Sequence, residues 1–182
     1  MKKFLCSLSL LLAAAVLLPA SARAASIIGR GTSELGAGGS LTAHSADSTA
    51  FNLGVRYAYF VADRVSVGVL LDIGHSKHSD LDRIGGIVEY DWRMRDGYRA
   101  VIGSDFVPFL AGGLLAAWAD VYDDDSTALV FRGEAGVKFY LTDTAAIVTT
   151  LVGEWATDDI YLNNRKAVDW DLYASLGIRL LF

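Results

Sequence analysis

The sequence has few of the residues that hold small disulfide-rich proteins or metal centres together. Its 182 residues include one cysteine, two prolines and three histidines. Because Cys6 lies near the N-terminus, the rest of the chain can form no disulfide. Long apolar runs are also scarce: beyond the N-terminal region, the longest uncharged stretch, residues 106–119, is interrupted by Pro108 and two glycines. A membrane helix needs about 20 apolar residues, so the sequence argues against a helical membrane protein.

The N-terminus has the pattern of an export signal. Lys2 and Lys3 precede an apolar run over residues 4–18, and a small-x-small site follows at residues 22–24. We expect cleavage after Ala24. The alternative, a retained membrane helix, is disfavoured because the run is short for a span. A lipoprotein is disfavoured because the cysteine precedes the apolar run.

Cleavage would make the chain more acidic. Residues 1–24 carry three basic residues and no acidic ones, so the formal net charge would fall from -5 to -8. A general nucleic-acid-binding protein needs a basic surface, which this composition does not provide. The remaining residues, 25–182, are enough for one domain.

Apolar and polar residues alternate with a period of two through residues 25–182, which is typical of β-strands. In the second segment, for example, Phe51, Val55 and Tyr59 share one face, and Asn52 and Arg56 share the other. The pattern predicts eight strands, at residues 32–44, 49–60, 64–75, 83–94, 105–118, 127–141, 144–156 and 167–182. The segment 105–118 is the least regular, because it is apolar on both faces.

Charged residues in these segments follow the same period. In every segment with several charges, all lie on the face opposite to the continuous apolar face, because successive side chains of a strand point to opposite sides. The charges are Glu34, Asp72, Glu89, Asp91, Glu134, Glu154, Asp169 and Asp171, with Arg56, Arg93, Arg132, Lys138 and Arg179.

Two folds explain this alternation. A soluble β-sandwich exposes its polar face to water, but its strands usually have about 5–6 residues. The apolar faces here run longer, which suits a membrane strand of about 9–11 residues with overhang. The sequence therefore predicts an all-β fold: an eight-stranded antiparallel up-and-down transmembrane β-barrel at residues 25–182, after a signal peptide at residues 1–24.

The connections predict the orientation of this barrel. Those at 61–64 and 141–144 are tight, whereas those at 75–83, 119–126 and 157–166 are longer and polar. Outer-membrane barrels place short turns in the periplasm and longer loops outside. We therefore expect periplasmic termini in the outer membrane of a Gram-negative bacterium. Aromatic residues then form two interfacial belts: Tyr57, Tyr59, Trp92, Phe139 and Phe182 on the periplasmic side, and Phe51, Phe131, Trp155 and Trp170 outside.

The interior of an eight-stranded barrel is just wide enough to be filled by side chains. Charges inside it should therefore pair, since an unpaired buried charge is costly; the alternative is that water solvates them separately. Cross-strand geometry predicts Arg132 opposite Glu154. It also places Arg56 diagonal to Asp72, and Glu34 near Arg179. We predict a salt-bridge network of Glu34, Arg56, Asp72, Arg132, Glu134, Lys138, Glu154 and Arg179.

The last ten residues, 173–182, carry a likeness to a known family. A terminal phenylalanine is preceded by apolar residues at alternating positions. Residues 64–69 and 106–113 are also similar to recurring family segments. The chain resembles small bacterial outer-membrane barrels of the OmpA transmembrane-domain and OmpX type. The resemblance implies recognition of the last strand by the barrel assembly machinery, and contact with outer-membrane lipid and lipopolysaccharide. The implied assembly signal comprises Tyr173, Leu176, Ile178, Leu180 and Phe182.

Three functions remain open. The filled interior favours a structural or surface-interaction role, with an unknown ligand at the outer loops and no wide pore. A narrow channel for ions or small solutes is the first alternative. The second is a lipid-modifying enzyme, since His75, Ser76, His78, Ser79 and Asp80 share one outer loop, and His44 and Ser45 share another. The spacing matches no catalytic motif, and two histidines do not make a metal site, so we predict no catalytic residue, metal or cofactor.

Overall fold

The computed structural model describes residues 29–44, 48–76, 79–92, 105–121, 124–163 and 166–182. The predicted signal peptide, Arg93 and the connection at 95–104 between the predicted strands 83–94 and 105–118 lie outside these residues. The described residues form ten strands: β1 (Ser33–His44), β2 (Ser48–Ala62), β3 (Val65–Ser76), β4 (Ser79–Asp91), β5 (Asp105–Val121), β6 (Asp124–Thr142), β7 (Ala145–Ala156), β8 (Tyr161–Asn163), β9 (Lys166–Val168) and β10 (Trp170–Leu181).

Eight of these strands close into one antiparallel barrel. Strands β1 to β7 pair in chain order, β10 pairs with β7, and β1 closes onto β10. The predicted eight-stranded barrel is confirmed, and the β-sandwich alternative is wrong. The part of the chain described here contains no helix long and apolar enough to span a membrane.

The alternation of the sequence separates the two surfaces of the barrel. On β3, Val67, Val69 and Leu71 point outward with 39–59% of their surface exposed, whereas Ser66, Leu70 and Asp72 are buried inside. The same division holds along β10, where Leu172, Leu176 and Ile178 are 55–61% exposed. The outer surface is thus a continuous apolar band, and the charged residues lie in the interior.

One end of the barrel has two-residue turns. Asp63 and Arg64 connect β2 to β3, and Asp143 and Thr144 connect β6 to β7. Arg64 has a φ of 72°, in the left-handed region that tight hairpin turns use. At the second turn the Thr144 backbone N–H donates to Thr142 Oγ1 at 3.3 Å. The predicted tight links are confirmed at both positions.

The other end carries hairpins that extend further than predicted. Strands β3 and β4 pair out to Ser76 and Ser79, and β5 and β6 pair out to Val121 and Asp124. The predicted loops at 75–83 and 119–126 are therefore mostly strand. Beyond the apolar band both faces of a hairpin tolerate polar residues, so polarity there does not mark the end of a strand.

The third long connection, 157–166, was predicted as a loop, but it contains a two-stranded ribbon of β8 and β9. The predicted last strand, 167–182, is divided at Asp169. Asp169 was also assigned to the interior face, which is wrong. Its carboxylate accepts a hydrogen bond from Nε1 of the outward-facing Trp155 at 2.9 Å, because the bend at this residue interrupts the alternation.

A buried charge network as the candidate functional site

Inside the barrel, charged side chains from seven of its eight strands, all except β5, join into one network of ion pairs. Six carboxylates face five cations, which leaves one negative charge in excess when all are ionised. Each of these residues is at most 9% exposed. The members are Glu34, Asp72, Glu89, Asp91, Glu134 and Glu154, with Arg56, Arg83, Arg132, Lys138 and Arg179.

Lys138 on β6 organises the end of the network near the tight turns. Its Nζ lies 2.8 Å from Glu34 Oε2, 2.6 Å from Glu89 Oε1 and 3.1 Å from Asp91 Oδ2. The same ammonium lies 5.6 Å from the ring centroids of both Phe60 and Phe109, a cation–π arrangement. Lys138 is fully buried, so these groups replace its hydration.

Arg56 on β2 connects this end to the middle of the barrel. Its Nη1 donates to Glu89 Oε2 at 2.7 Å, and its Nη2 donates to Glu134 Oε2 at 3.0 Å. Glu134 in turn accepts from Arg132 Nε at 2.6 Å. The guanidinium therefore bridges carboxylates from β4 and β6 across the interior, which fixes the distance between opposite walls.

Arg132 and Arg83 organise the other end. Arg132 Nη1 lies 3.0 Å from Glu154 Oε1 and also pairs with Asp72. Arg83 pairs with Glu154, and its Nη2 lies 3.8 Å from Asp72 Oδ2. The ring centroid of Tyr173 lies 6.0 Å from Arg132 Cζ. Two guanidinium groups thus share two carboxylates, as a packed interior requires.

Two of the three predicted pairs are present. Arg132 lies directly opposite Glu154 in the register of β6 and β7, and Arg179 pairs with Glu34 where the barrel closes. The predicted pair of Arg56 with Asp72 is wrong. The two residues are diagonal neighbours, since Gly54 lies opposite Asp72, but Arg56 extends across the barrel to more distant strands.

The sequence interpretation missed Arg83 and left Glu89 and Asp91 out of the network. Arg83 lies directly opposite Asp72 in the register of β3 and β4, and it is 1% exposed. Its position has the same parity as Glu89 and Asp91, so the alternation of β4 would have found it. It was missed because the strand was expected to begin at this residue.

Apolar clusters close the interior at both ends of the network. Near the tight turns, Phe60, Phe109 and Leu181 belong to one cluster with exposures of 0–4%. At the other end, Ile160 and Tyr161, at the ribbon of β8 and β9, are 0% and 5% exposed. They pack against inward-facing apolar residues of β5. This packing explains why the predicted segment 105–118 is apolar on both faces. Burial raises the pKa of the Tyr161 hydroxyl, and the nearby Glu154 carboxylate raises this pKa further.

A cavity of about 70 Å³ lies between the network and the wall formed by β1, β2 and β10. Gly38 faces Gly54 on β2 and Gly177 on β10, so this part of the wall has no side chains to fill the space. Polar groups of Ser40 and Ser175 also line it. Since a buried water needs about 10–15 Å³ and several polar partners, a cavity of this size, lined in part by charged side chains, has room for roughly five waters.

The predicted aromatic belts and terminal strand lie on the outer surface. Phe131, Trp155 and Trp170 are direct partners on β6, β7 and β10 and are 46–52% exposed. Toward the other end, Tyr57, Tyr59, Trp92 and Phe182 are 43–47% exposed. Of the implied assembly signal, Leu176, Ile178, Leu180 and Phe182 point outward, whereas Tyr173 is buried inside. Recognition of this strand stays a prediction.

The histidine cluster does not assemble a catalytic triad among the described residues. His75 Nδ1 contacts Asp80 Oδ1 at the surface, which is the arrangement of a base and its orienting carboxylate. Ser76 and Ser79 are adjacent to them in sequence, however, so they face the opposite side of the hairpin. Ser76 Oγ donates to the Ser79 carbonyl at 3.3 Å. His78 and the side chain of His44 lie outside the described residues, within which no group of three metal-ligating side chains occurs.

Comparison with solved structures places the barrel among known folds. It is similar to the N-terminal β-barrel domain of Pseudomonas aeruginosa OprF, with a TM-score of 0.61 and 18% identity, covering 85% of this chain and 99% of that one. It is also similar to Neisserial surface protein A, with a TM-score of 0.56 and 15% identity over 83% and 96% of the two chains. The chain has the fold of the small outer-membrane β-barrels. No family model and no curated protein matches the sequence.

Proposed function

We propose that this small outer-membrane barrel is a sealed anchor that presents polar hairpins at the cell surface. In this proposal the protein has a structural or surface-interaction role. It forms no wide pore and performs no catalysis. The observation that supports this is the continuous ion-pair network, with Phe60 and Leu181 closing one end and Ile160 and Tyr161 closing the other. A porin instead leaves a water-filled lumen.

The proposed location follows from the outer surface. Apolar side chains cover the outside of β3 and β10, and exposed apolar patches of this extent are rare on soluble monomers. Membrane lipid, including lipopolysaccharide in the outer leaflet, would cover this surface. The two-residue turns at Asp63 and Asp143 support a periplasmic position for that end, where Ser33 and Phe182 also lie paired.

The hairpins at the other end would then meet the extracellular medium. Beyond the aromatic row of Phe131, Trp155 and Trp170, the outward side chains include Asp80, Asp120 and Asp125. These carboxylates give this surface a negative charge. The barrel assembly machinery is the second expected partner, through the strand that ends at Phe182.

Fractionation and conductance test this proposal together. Full-length protein should appear in the outer-membrane fraction and migrate faster before heating than after heating, because a folded barrel resists detergent. The same purified material, fused into planar bilayers, should give a flat current trace. A porin measured in the same bilayers is the positive control. Recovery of the mature protein in a detergent-free soluble fraction, or a steady open channel, would overturn the proposal.

A narrow channel is the second candidate, and the cavity of about 70 Å³ favours it. Opening it would require displacement of the apolar clusters at both ends, including the one around Ile160. A variant in which residues 158–168 are replaced by a short glycine–serine link tests this requirement. If the sealed-anchor proposal is right, the unmodified protein gives no channel current, even if the shortened variant conducts. Conductance of the unmodified protein that is equal to that of the shortened one would favour the channel.

A further inference from the structure

The seam where the barrel closes is paired along only part of its length. In the described residues, β1 and β10 pair from Glu34 opposite Leu181 to Gly39 opposite Leu176. Strand β1 nevertheless continues to His44, and β10 begins at Trp170. If the register continued, residues 40–43 would lie opposite residues 172–175. These segments pair with β2 and β7 on their other edges, so their facing edges are left open.

A hydrogen bond on β10 supports this description of the open edge. The backbone N–H of Leu172 donates to the Asp171 side-chain Oδ1 at 2.9 Å instead of to β1. Because backbone groups alternate between the two neighbours of an antiparallel strand, Ala174 directs its N–H and C=O to the same side. At membrane depth, backbone groups without a ladder partner need water or protein to satisfy them, and a polar space beside this gap would supply the water.

The cavity behind the seam is that polar space. Ser40, Tyr173 and Ser175 belong both to the open part of the seam and to the lining of the cavity. The outward-facing Trp170 marks the outer end of β10, and Leu172 and Leu176 flank the gap with 59% and 61% exposure. The gap therefore lies just inside the aromatic row, at the depth of the outer leaflet if the proposed orientation holds.

The charge around the cavity indicates what it would accept. Three cations line it, Arg56, Arg132 and Arg179, against the two carboxylates Asp72 and Glu134. Arg56 is 4% exposed, and its Nε has no hydrogen-bond partner among the described residues. An unsatisfied buried donor is costly, and a ligand oxygen could accept its hydrogen bond.

We propose that the outer half of the seam between β1 and β10 is a side entrance from the membrane, and that the cavity behind it takes the anionic headgroup of a single-chain amphiphile. The chain of the ligand would remain against Leu172 and Leu176 in the outer leaflet. This inference rests on the proposed membrane location and orientation. It is compatible with a barrel that conducts no ions, since the apolar clusters keep both ends closed.

Paired cysteines test the entrance, because Cys6 is the one cysteine of the sequence and precedes the expected cleavage site. The matched control is Ala37→Cys with Ile178→Cys, which are direct partners in the closed half of the seam. The test pair is Ser40→Cys with Ser175→Cys. Mild oxidation should form a disulfide in the control, whose Cα separation suits one, and not in the test pair. A disulfide as complete in the test pair as in the control would overturn the entrance.

A labelling experiment tests the ligand. The single variant Ser175→Cys, reconstituted in phosphatidylcholine vesicles, is labelled with a polar maleimide in the presence of dodecanoate or dodecanol. We expect dodecanoate to remove most of the labelling and dodecanol to leave it unchanged. Unchanged labelling with dodecanoate, or equal protection by both compounds, would overturn the anionic site.

Two further readouts keep these results interpretable. Every sample is checked for heat-modifiable mobility, and failure of the control pair to form its disulfide would contradict the barrel itself and not the entrance alone. In a variant that keeps Trp170 as its one tryptophan (Trp92→Phe, Trp118→Phe and Trp155→Phe), a dodecanoate brominated on its chain should quench the fluorescence more than the matching brominated alcohol does. Equal quenching would count against the anionic site without any cysteine substitution.

Discussion

Replacing Lys138 with methionine is the most informative perturbation of the interior. The substitution keeps an unbranched apolar side chain between Phe60 and Phe109 but removes the ammonium that contacts Glu34, Glu89 and Asp91. Removing one partner of a buried ion pair usually costs about 3–5 kcal/mol, because the other charge stays buried without compensation. We expect a loss in this range, which raises the unfolding equilibrium constant by about two to three and a half powers of ten.

Urea unfolding of the barrel in lipid vesicles, followed by tryptophan fluorescence, measures this loss. Arg30→Met is the control, since Arg30 is exposed and surface substitutions usually change stability by less than about 0.5 kcal/mol. Adding Asp91→Asn to Lys138→Met should recover part of the loss, because the ion pair of Asp91 in the described network is with Lys138. A loss below about 1 kcal/mol for Lys138→Met would refute the reasoning, since it would mean that water solvates these carboxylates separately.

Three further predictions concern the wall, the outer surface and the ribbon. Gly85→Ala should destabilise the barrel by about 1–3 kcal/mol, because the added Cβ would meet the backbone of Leu114 and Leu115. In the same unfolding assay the control Gly112→Ala should be close to neutral, because a Cβ added there meets nothing within 4 Å. Val69→Arg, at mid-strand on the outer face, should cost about 2–4 kcal/mol, and Leu141→Arg, beside a turn, about 0–1 kcal/mol; equal costs in vesicle unfolding would contradict a membrane-spanning surface. Ile160→Asp should release the ribbon of β8 and β9 and make it sensitive to protease while the heat-modifiable band persists; a protease-resistant ribbon would contradict its role in closing the barrel.

The fold could be predicted because one pattern is repeated in every strand. Alternation sorts Val67, Val69 and Leu71 from Ser66 and Asp72 without knowledge of any partner strand, and tight links such as 61–64 set the order of pairing. The hairpin extensions could not be predicted in this way. Outside the membrane the outward face is polar too, so Asp80 and Asp82 resemble loop residues although both belong to β4.

The interior could be predicted only in part. The ion pair of Arg132 with Glu154 could be predicted from the pairing of two neighbouring strands, because their register alone brings these residues together. The partners of Arg56 could not be found from neighbours, since its guanidinium reaches Glu134 on the opposite wall. Such contacts depend on barrel diameter and side-chain length. The partial seam between β1 and β10 is likewise invisible in the sequence, where both strands have ordinary alternation.

A labelling scan along β3 tests the central claim most directly: outward side chains face lipid, and inward side chains face a sealed interior. Single cysteines at each position from Val67 to Ile73 carry a spin label in reconstituted membranes, and collision with oxygen and with a water-soluble nickel complex is measured. We predict oxygen access at positions 67, 69, 71 and 73, and little access of either reagent at 68, 70 and 72. Nickel access throughout the strand, or oxygen access without a period of two, would contradict the account.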